Sequence, residues 1–193
     1  KTIALLNNKE KLDSKEYIIK TWGEEYQDLA LNEYFCLSIA DKAGLKVANN
    51  QLSKNNKFLI VEKFTVKDDG SFLGFEEILS LMGKNKDNKY EGSYEQVAKI
   101  IYQYTSNKKE SMVAFYKTVV VNYLVKNGDA HLKNFGLLFD DDFKHIFYSP
   151  VYDIVNTVAY LHKDKPALML NGKKIWWTKD TLVKFGQKSC LLS

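Results

Sequence analysis

An aspartate and an asparagine stand at fixed spacing in the run Asn127-Gly128-Asp129-Ala130-His131-Leu132-Lys133-Asn134, between an apolar stretch (115–125) and an expected strand (135–139). On a loop between helix and strand, the Asp can take the proton of an attacking hydroxyl and the Asn can reach a metal ion. Phosphoryl transfer from a nucleotide needs that division of labour. A second carboxylate must hold the metal, and Asp153 follows a second expected strand, in Tyr148-Ser149-Pro150-Val151-Tyr152-Asp153. A β-hairpin between the two segments would bring Asp153 back to the Asp129 loop.

Gly-Asp and Asn are ordinary turn residues, so the Asp129–Asn134 spacing alone is a weak signal. It gains weight from order: Lys20, Asp129, Asn134 and Asp153 follow one another as they do in kinase-like phosphotransferases. Lys20 ends the apolar strand Tyr17-Ile18-Ile19-Lys20. It is either a solvated strand terminus or the cation that neutralises the α- and β-phosphates. Glu33, in the next helix, either pairs with that lysine or faces solvent. His131 reads as a prop for the loop, and Lys133 as a cation within reach of the γ-phosphate. The run Ile60-Val61-Glu62-Lys63-Phe64 is a plain strand or a hinge whose backbone bonds adenine. His145 and His162 show no metalloprotease or zinc spacing.

These residues need elements to position them. Residues 2–6 and 16–21 read as strands joined by a polar turn (7–14), and 29–43 as a helix stopped by Gly44, with Leu29, Tyr34, Phe35, Leu37, Ile39 and Ala40 at helical spacing. Residues 57–65 are β-rich, and Asp68-Asp69-Gly70-Ser71 is a turn and a natural boundary. Beyond it, 75–82 reads as a short helix ended by Gly83. Ser93 and Gln96 form a capping-box pattern opening a helix to about Tyr104, and 110–125 is a longer helix with a buried second half. Strands follow at 135–139 and 144–148, then a hairpin over 168–177 tipped by Asn171-Gly172, or a longer loop over Asn171-Gly172-Lys173-Lys174. Tyr102, Tyr104, Phe115, Tyr116 and Tyr123 read as core, and Trp176-Trp177 as a packing pair. The expected fold is α+β and two-lobed: a small strand-rich lobe (1–67) and a mainly helical lobe (68–193), with nucleotide in the crevice between them.

Composition agrees with a folded domain rather than a disordered chain: 193 residues, 45% apolar and 27% charged. The net charge of +4 suits anionic ligands such as nucleotides but is too small and scattered to argue nucleic-acid binding. All 28 basic residues are lysine, so every basic phosphate contact is a point charge rather than a bidentate fork. The two cysteines, Cys36 (in a helical pattern, expected in the core) and Cys190, make no disulfide framework and no metal spacing. No membrane span or signal peptide is visible, and a reducing cytoplasm is expected.

Several blocks together resemble the HipA family, in family order. They are Lys89-Tyr90-Glu91-Gly92-Ser93-Tyr94-Glu95-Gln96, the Asn127–Phe135 run, Ser149-Pro150-Val151-Tyr152-Asp153-Ile154-Val155-Asn156-Thr157, Val61-Glu62-Lys63-Phe64 and Leu170-Asn171-Gly172-Lys173-Lys174. The resemblance implies a serine/threonine kinase using ATP and Mg2+, the toxin of a bacterial toxin–antitoxin pair. It implies Asp129 as catalytic base, Asn134 and Asp153 as magnesium ligands, Lys20 as the nucleotide-phosphate lysine, and Glu62 and Phe64 as hinge backbone contacts. It also implies a helix-turn-helix DNA-binding antitoxin as partner, with DNA reached only through it, and a protein substrate of the aminoacyl-tRNA synthetase class. In the family, a glycine-rich phosphate loop and a regulatory serine precede a segment like Lys1–Leu6, and a glutamine often stands before the acidic pair that here reads Phe75-Glu76-Glu77. A missing or separate N-terminal segment carrying that loop is therefore expected, with weak activity for this chain alone. Two rivals remain: a small-molecule or lipid kinase, which also uses a Gly-Asp-x-His-like loop, and an inactive pseudokinase or binding module that occupies the antitoxin.

Overall fold

The computed structural model describes residues 2–5 and 16–192. The polar turn expected at 7–14 lies outside them. Strand β1 (Thr2–Leu5) pairs antiparallel with β2 (Glu16–Lys20), which pairs with β4 (Leu59–Glu62), and β3 (Asn50–Leu52) closes the other edge. Helix α1 (Leu29–Lys42) packs on this sheet through Cys36, Leu37 and Ala40, and Gly44 ends it with a left-handed φ of 76°. Phe35 and Ile39, counted in the apolar stripe of the sequence, are instead exposed.

The second half is built on a three-stranded sheet, β5 (Gly74–Glu77), β6 (Gly136–Phe139) and β7 (Ile146–Tyr148), in the order β5-β6-β7. Residues 74–77 are therefore a strand, and only Ile78–Leu81 form a helix, α2. Long-range pairing overrides the helical look of Phe-Glu-Glu: Gly74 lies opposite Phe139, and Glu77 opposite Gly136. Both glycines are required sterically. A Cβ on Gly136 would sit 2.3 Å from the Phe75 ring, and one on Gly74 2.0 Å from the Phe139 ring.

Helices α3 (Tyr94–Tyr104) and α4 (Lys108–Leu124) pack against each other, and α4 packs against β7. The capping box opening α3 is fully formed. Ser93 Oγ accepts from the Gln96 N–H at 3.3 Å, and Gln96 Oε1 accepts from the Ser93 N–H at 3.0 Å. Tyr102 and Tyr104 lie on the outer face of α3, each 42% exposed, and not in the core. A last helix, α5 (Lys179–Lys188), capped by Thr178, adds Leu182 and Phe185 to the core.

The hairpin expected at 168–177 keeps its tip and loses its strands. Asn171 and Gly172 are both left-handed (φ 51° and 71°), joined by a single Leu170–Lys173 bridge. Met169 pairs instead with the start of α3, exchanging bonds with Gly92 and Tyr94 at 3.0 and 2.9 Å. Trp177 then turns inward onto Tyr94 and Tyr123. Cys36 and Cys190 are buried free thiols, and burial raises both, to about 11 and about 12. No helix among the described residues is long and apolar enough to cross a membrane.

Phe115 of α4 is fully buried and meets Phe135, Tyr148 and Phe185, so it ties the second sheet to α5. Phe115→Ala should lower unfolding stability by about 3–5 kcal/mol, read from the urea midpoint at unchanged m-value.

Candidate active site

Lys20 closes β2 facing inward, and its side chain is nearly inaccessible (7% exposed). An ammonium there must be paired, because burying it alone is prohibitive. Its Nζ donates to Glu33 Oε1 from α1 and to Asp153 Oδ1 from the loop after β7. Glu33 is itself buried and does not face solvent. Burial lowers the Lys20 pKa, but the charges and hydrogen bonds of Glu33 and Asp153 outweigh it, so the net direction is upward. Asp153 adopts a left-handed backbone (φ 53°), which turns its carboxylate back toward Lys20.

The Asp129 loop is held by its own polar side chains. The Asp129 N–H donates to Asn127 Oδ1 at 3.2 Å. The buried Asn127 amide donates to Asn122 Oδ1 of α4 at 2.9 Å and reaches the Asp153 carbonyl at 3.5 Å. The Gly128 N–H donates to Thr157 Oγ1 at 2.8 Å. The His131 N–H donates to Asn134 Oδ1 at 2.9 Å, closing a short 3-10 turn over Leu132–Asn134. The His131 ring is buried and its pKa is lowered by that burial, against the opposing pull of Asp129. The Asp129 carboxylate accepts from the Tyr90 hydroxyl at 2.8 Å. Tyr90 is pushed up to about 12 by desolvation and by that bond.

Two adjoining spaces meet at Lys20. A polar cavity of about 330 Å³ is lined by Lys20, Glu33, Asp129, His131, Asn134 and Asp153. A more apolar one of about 470 Å³ includes Ile18, Leu37, Val61, Phe64, Phe75 and Tyr152. Phe64, Phe75 and Tyr152 form an aromatic triangle with centroids 5.5, 5.7 and 6.1 Å apart. That suits a flat heterocycle beside a charged compartment, which is the shape of a nucleotide.

Four expected residues, Lys20, Asp129, Asn134 and Asp153, thus line one polar space, with Glu33 and His131 beside them. Glu62 and Phe64 line the apolar space. Lys133 also faces the apolar space, where its ammonium donates to Glu77 Oε2 at 2.7 Å. Sequence reasoning assigned no role to Tyr90, Asn127, Tyr152 or Thr157, although each lies inside a quoted block. It also missed Asn32, whose amide clasps the Asn156 backbone, donating to its carbonyl at 3.0 Å and accepting from its N–H at 2.8 Å. Among the described residues no group of three or more His, Cys, Asp or Glu side chains is arranged to hold a metal ion. Asn134 and Asp153 bring side-chain oxygens to one polar cavity, the donor type that Mg2+ takes alongside nucleotide oxygens.

The family model described as the HipA-like C-terminal domain matches residues 1–191. A protein of Haemophilus influenzae named "Putative kinase" is 30% identical over 158 residues, covering 75% of this chain and 46% of that protein. "Putative kinase Y4dM" of Sinorhizobium fredii is 25% identical over 168 residues, covering 79% of this chain and 40% of that protein. The chain therefore spans less than half the length of these curated relatives. Among solved structures, the HipA, HipB and operator DNA complex of the Shewanella oneidensis toxin–antitoxin system contains a chain that matches with TM-score 0.78 at 19% identity, covering 92% of this chain and 46% of that one. The Helicobacter pylori proinflammatory kinase CtkA matches with TM-score 0.66 at 22% identity, covering 92% of this chain and 72% of that one. The fold is thus the two-lobed kinase-like one.

Lys20→Met should cost about 3–5 kcal/mol by urea unfolding, because it removes the buried ammonium that Glu33 and Asp153 share, and the double change Lys20→Met with Glu33→Gln should cost less than the single one. The folded-state pKa of Lys20 lies above the usual 10.5. Its contribution is therefore complete below that value and is lost as pH rises through the folded-state pKa. The stability gap between wild type and Lys20→Met should hold up to about pH 10 and narrow above it.

Proposed function

Since the chain belongs to the HipA-like C-terminal domain family, we propose that it is the core of an ATP- and Mg2+-dependent kinase that phosphorylates a serine or threonine hydroxyl of a protein. We divide it at the turn after Lys67 into a nucleotide-holding lobe (1–67) and a catalytic lobe (68–193). One observation carries the reading: Lys20, Asp129, Asn134 and Asp153 share one polar cavity, continuous through Lys20 with an aromatic-walled space.

In this reading adenine enters the apolar space against Phe64, Phe75 and Tyr152, with the backbone of Glu62 and Phe64 as its hydrogen-bonding edge. The triphosphate then extends toward Lys20. Lys20 is held by Glu33 and turns its charge from Asp153 to the α- and β-phosphates. Asp153 and Asn134 are the residues that would hold Mg2+, which when bound would supply charge neutralisation to the phosphate oxygens. Asp129 accepts the proton of the acceptor hydroxyl as the acceptor oxygen bonds to Pγ. The bond from Pγ to the β-phosphate oxygen breaks, and ADP leaves with that electron pair. His131 keeps the loop in register from its buried position. Lys133, paired with Glu77, contributes positive charge to the wall of the apolar space.

For the whole protein we propose a toxin role in the cytoplasm, with a helix-turn-helix antitoxin as partner and DNA reached only through it. The support is the family and the fold shared with a HipA that is seen with HipB and operator DNA. A target of the aminoacyl-tRNA synthetase class follows the same resemblance. Phosphate transfer to a panel of proteins rather than to small alcohols is the test of substrate class.

Two substitutions test the site. Asp129→Asn should lower phosphoryl transfer by roughly 10²–10⁴-fold while leaving the unfolding midpoint unchanged; near-native transfer would remove Asp129 from the base role. Asp153→Asn keeps a residue that tolerates the left-handed backbone and an Oδ1 that can still accept from Lys20, with Glu33 holding the charge, so the loop should stay folded. Magnesium-dependent ATP binding, measured by calorimetry, should be lost, and unchanged Mg-ATP affinity would remove Asp153 from the metal.

A further inference from the structure

Asp129 faces a second space, on the side away from Lys20. A groove of about 530 Å³ shares Leu29, Asp129 and Val155 with the polar cavity and opens outward between Tyr26, Tyr160 and Leu161. Tyr26 and Tyr160 meet edge to face at 5.8 Å, and the Tyr160 hydroxyl anchors that wall on the Gln27 carbonyl at 2.9 Å. On the opposite wall, Gly128 admits Asp164 so closely that a Cβ would lie 2.0 Å from its carboxylate. Three large apolar side chains converge here with much of their surface in solvent: Tyr26 at 43%, Tyr90 at 42% and Leu161 at 57% exposed. Folding alone gives no reason to gather them around a carboxylate, whereas binding does.

Tyr90 lines the groove beside Asp129, which the groove shares with the polar cavity. Its ring packs edge-on against His131 at 5.3 Å, and its carbonyl accepts from the Lys174 ammonium at 2.8 Å. Its hydroxyl donates to Asp129 Oδ1, the same bond an acceptor hydroxyl must make before it gives up its proton. We infer that Tyr90 Oη holds the place of the acceptor hydroxyl, and that the groove beyond it is the docking site of an acceptor polypeptide, whose hydroxyl displaces the phenol. The wall of Tyr26, Tyr160 and Leu161 selects an acceptor whose hydroxyl residue is flanked on that side by an aliphatic or aromatic side chain rather than a charged one. This rests on the kinase reading above and adds where the acceptor enters, what guards the base and which flanking chemistry is chosen.

The test uses the full chain, Tyr90→Phe and Leu161→Glu. The probes are Mg-ATP and two synthetic serine peptides, one flanked by Leu and Phe, the other by Glu and Lys. Tyr90→Phe keeps the ring and removes the competing hydroxyl. It should lower the KM of the apolar-flanked peptide by about tenfold, with kcat and Mg-ATP affinity unchanged. Leu161→Glu, at an exposed position, should raise that KM by about tenfold, again at unchanged Mg-ATP affinity. Wild type should prefer the apolar-flanked peptide. A fall in kcat at constant KM in Tyr90→Phe would make Tyr90 a support of the base and overturn the placeholder role. So would phosphate found on Tyr90 itself by mass spectrometry. Indifference to the flanks, or phosphate transfer to a protein acceptor with neither peptide phosphorylated, would overturn the groove. Absence of Mg-ATP binding would instead overturn the kinase reading beneath it.

Discussion

The Lys20 ammonium is tolerable inside the protein only because two carboxylates from distant parts of the chain reach it. Glu33 comes from the helix above the first sheet, and Asp153 from the loop after β7. Neither element can drift without leaving a buried charge, so the ion cluster sets the separation of the two halves of the molecule. The cleft acquires its polar end from this constraint. Its apolar end follows from a different one. The Phe75 ring can lie over β6 only because position 136 is glycine, and there it completes the aromatic triangle with Phe64 and Tyr152.

The loop carrying Asp153 is fixed from both sides. Asn32, next to Glu33 in α1, clasps the Asn156 backbone with two bonds, while Thr157 accepts from Gly128 and donates to the Lys126 carbonyl. Asn127 adds a contact to the Asp153 carbonyl. Local turns thus shape each loop, and short polar side chains crossing between loops set their mutual geometry.

What could be read from the chain follows from how local each signal is. The Ser93–Gln96 box, the Gly44 stop, the Asn171-Gly172 turn and the spacing of Asp129 and Asn134 are decided within a few residues, and all lie where the sequence puts them. Strand β5 was illegible because Phe-Glu-Glu favours no strand until β6 supplies a partner with a glycine at the right register. Strand β3, Asn50-Gln51-Leu52, is too polar and short to announce itself and exists as an edge of β4. Helix α5 carries few apolar residues, and its burial depends on Phe115 and Tyr116 of α4. The contact between Tyr90 and Asp129 spans 39 positions, a separation at which spacing carries no information.

The crossed fastening of residues 153–157 bears on how the cleft spends free energy. A loop already tied to α1 and to the Asp129 turn has little freedom left to lose when a ligand arrives. Ordering entropy, which often consumes much of the gross interaction energy of mobile sites, is mostly spent when the chain folds. An anion entering the polar cavity would meet an ammonium already paired with Glu33 and Asp153, so its binding would exchange one charged partner for another. The expected signature of such an exchange is enthalpic and salt-dependent rather than that of a segment condensing from disorder.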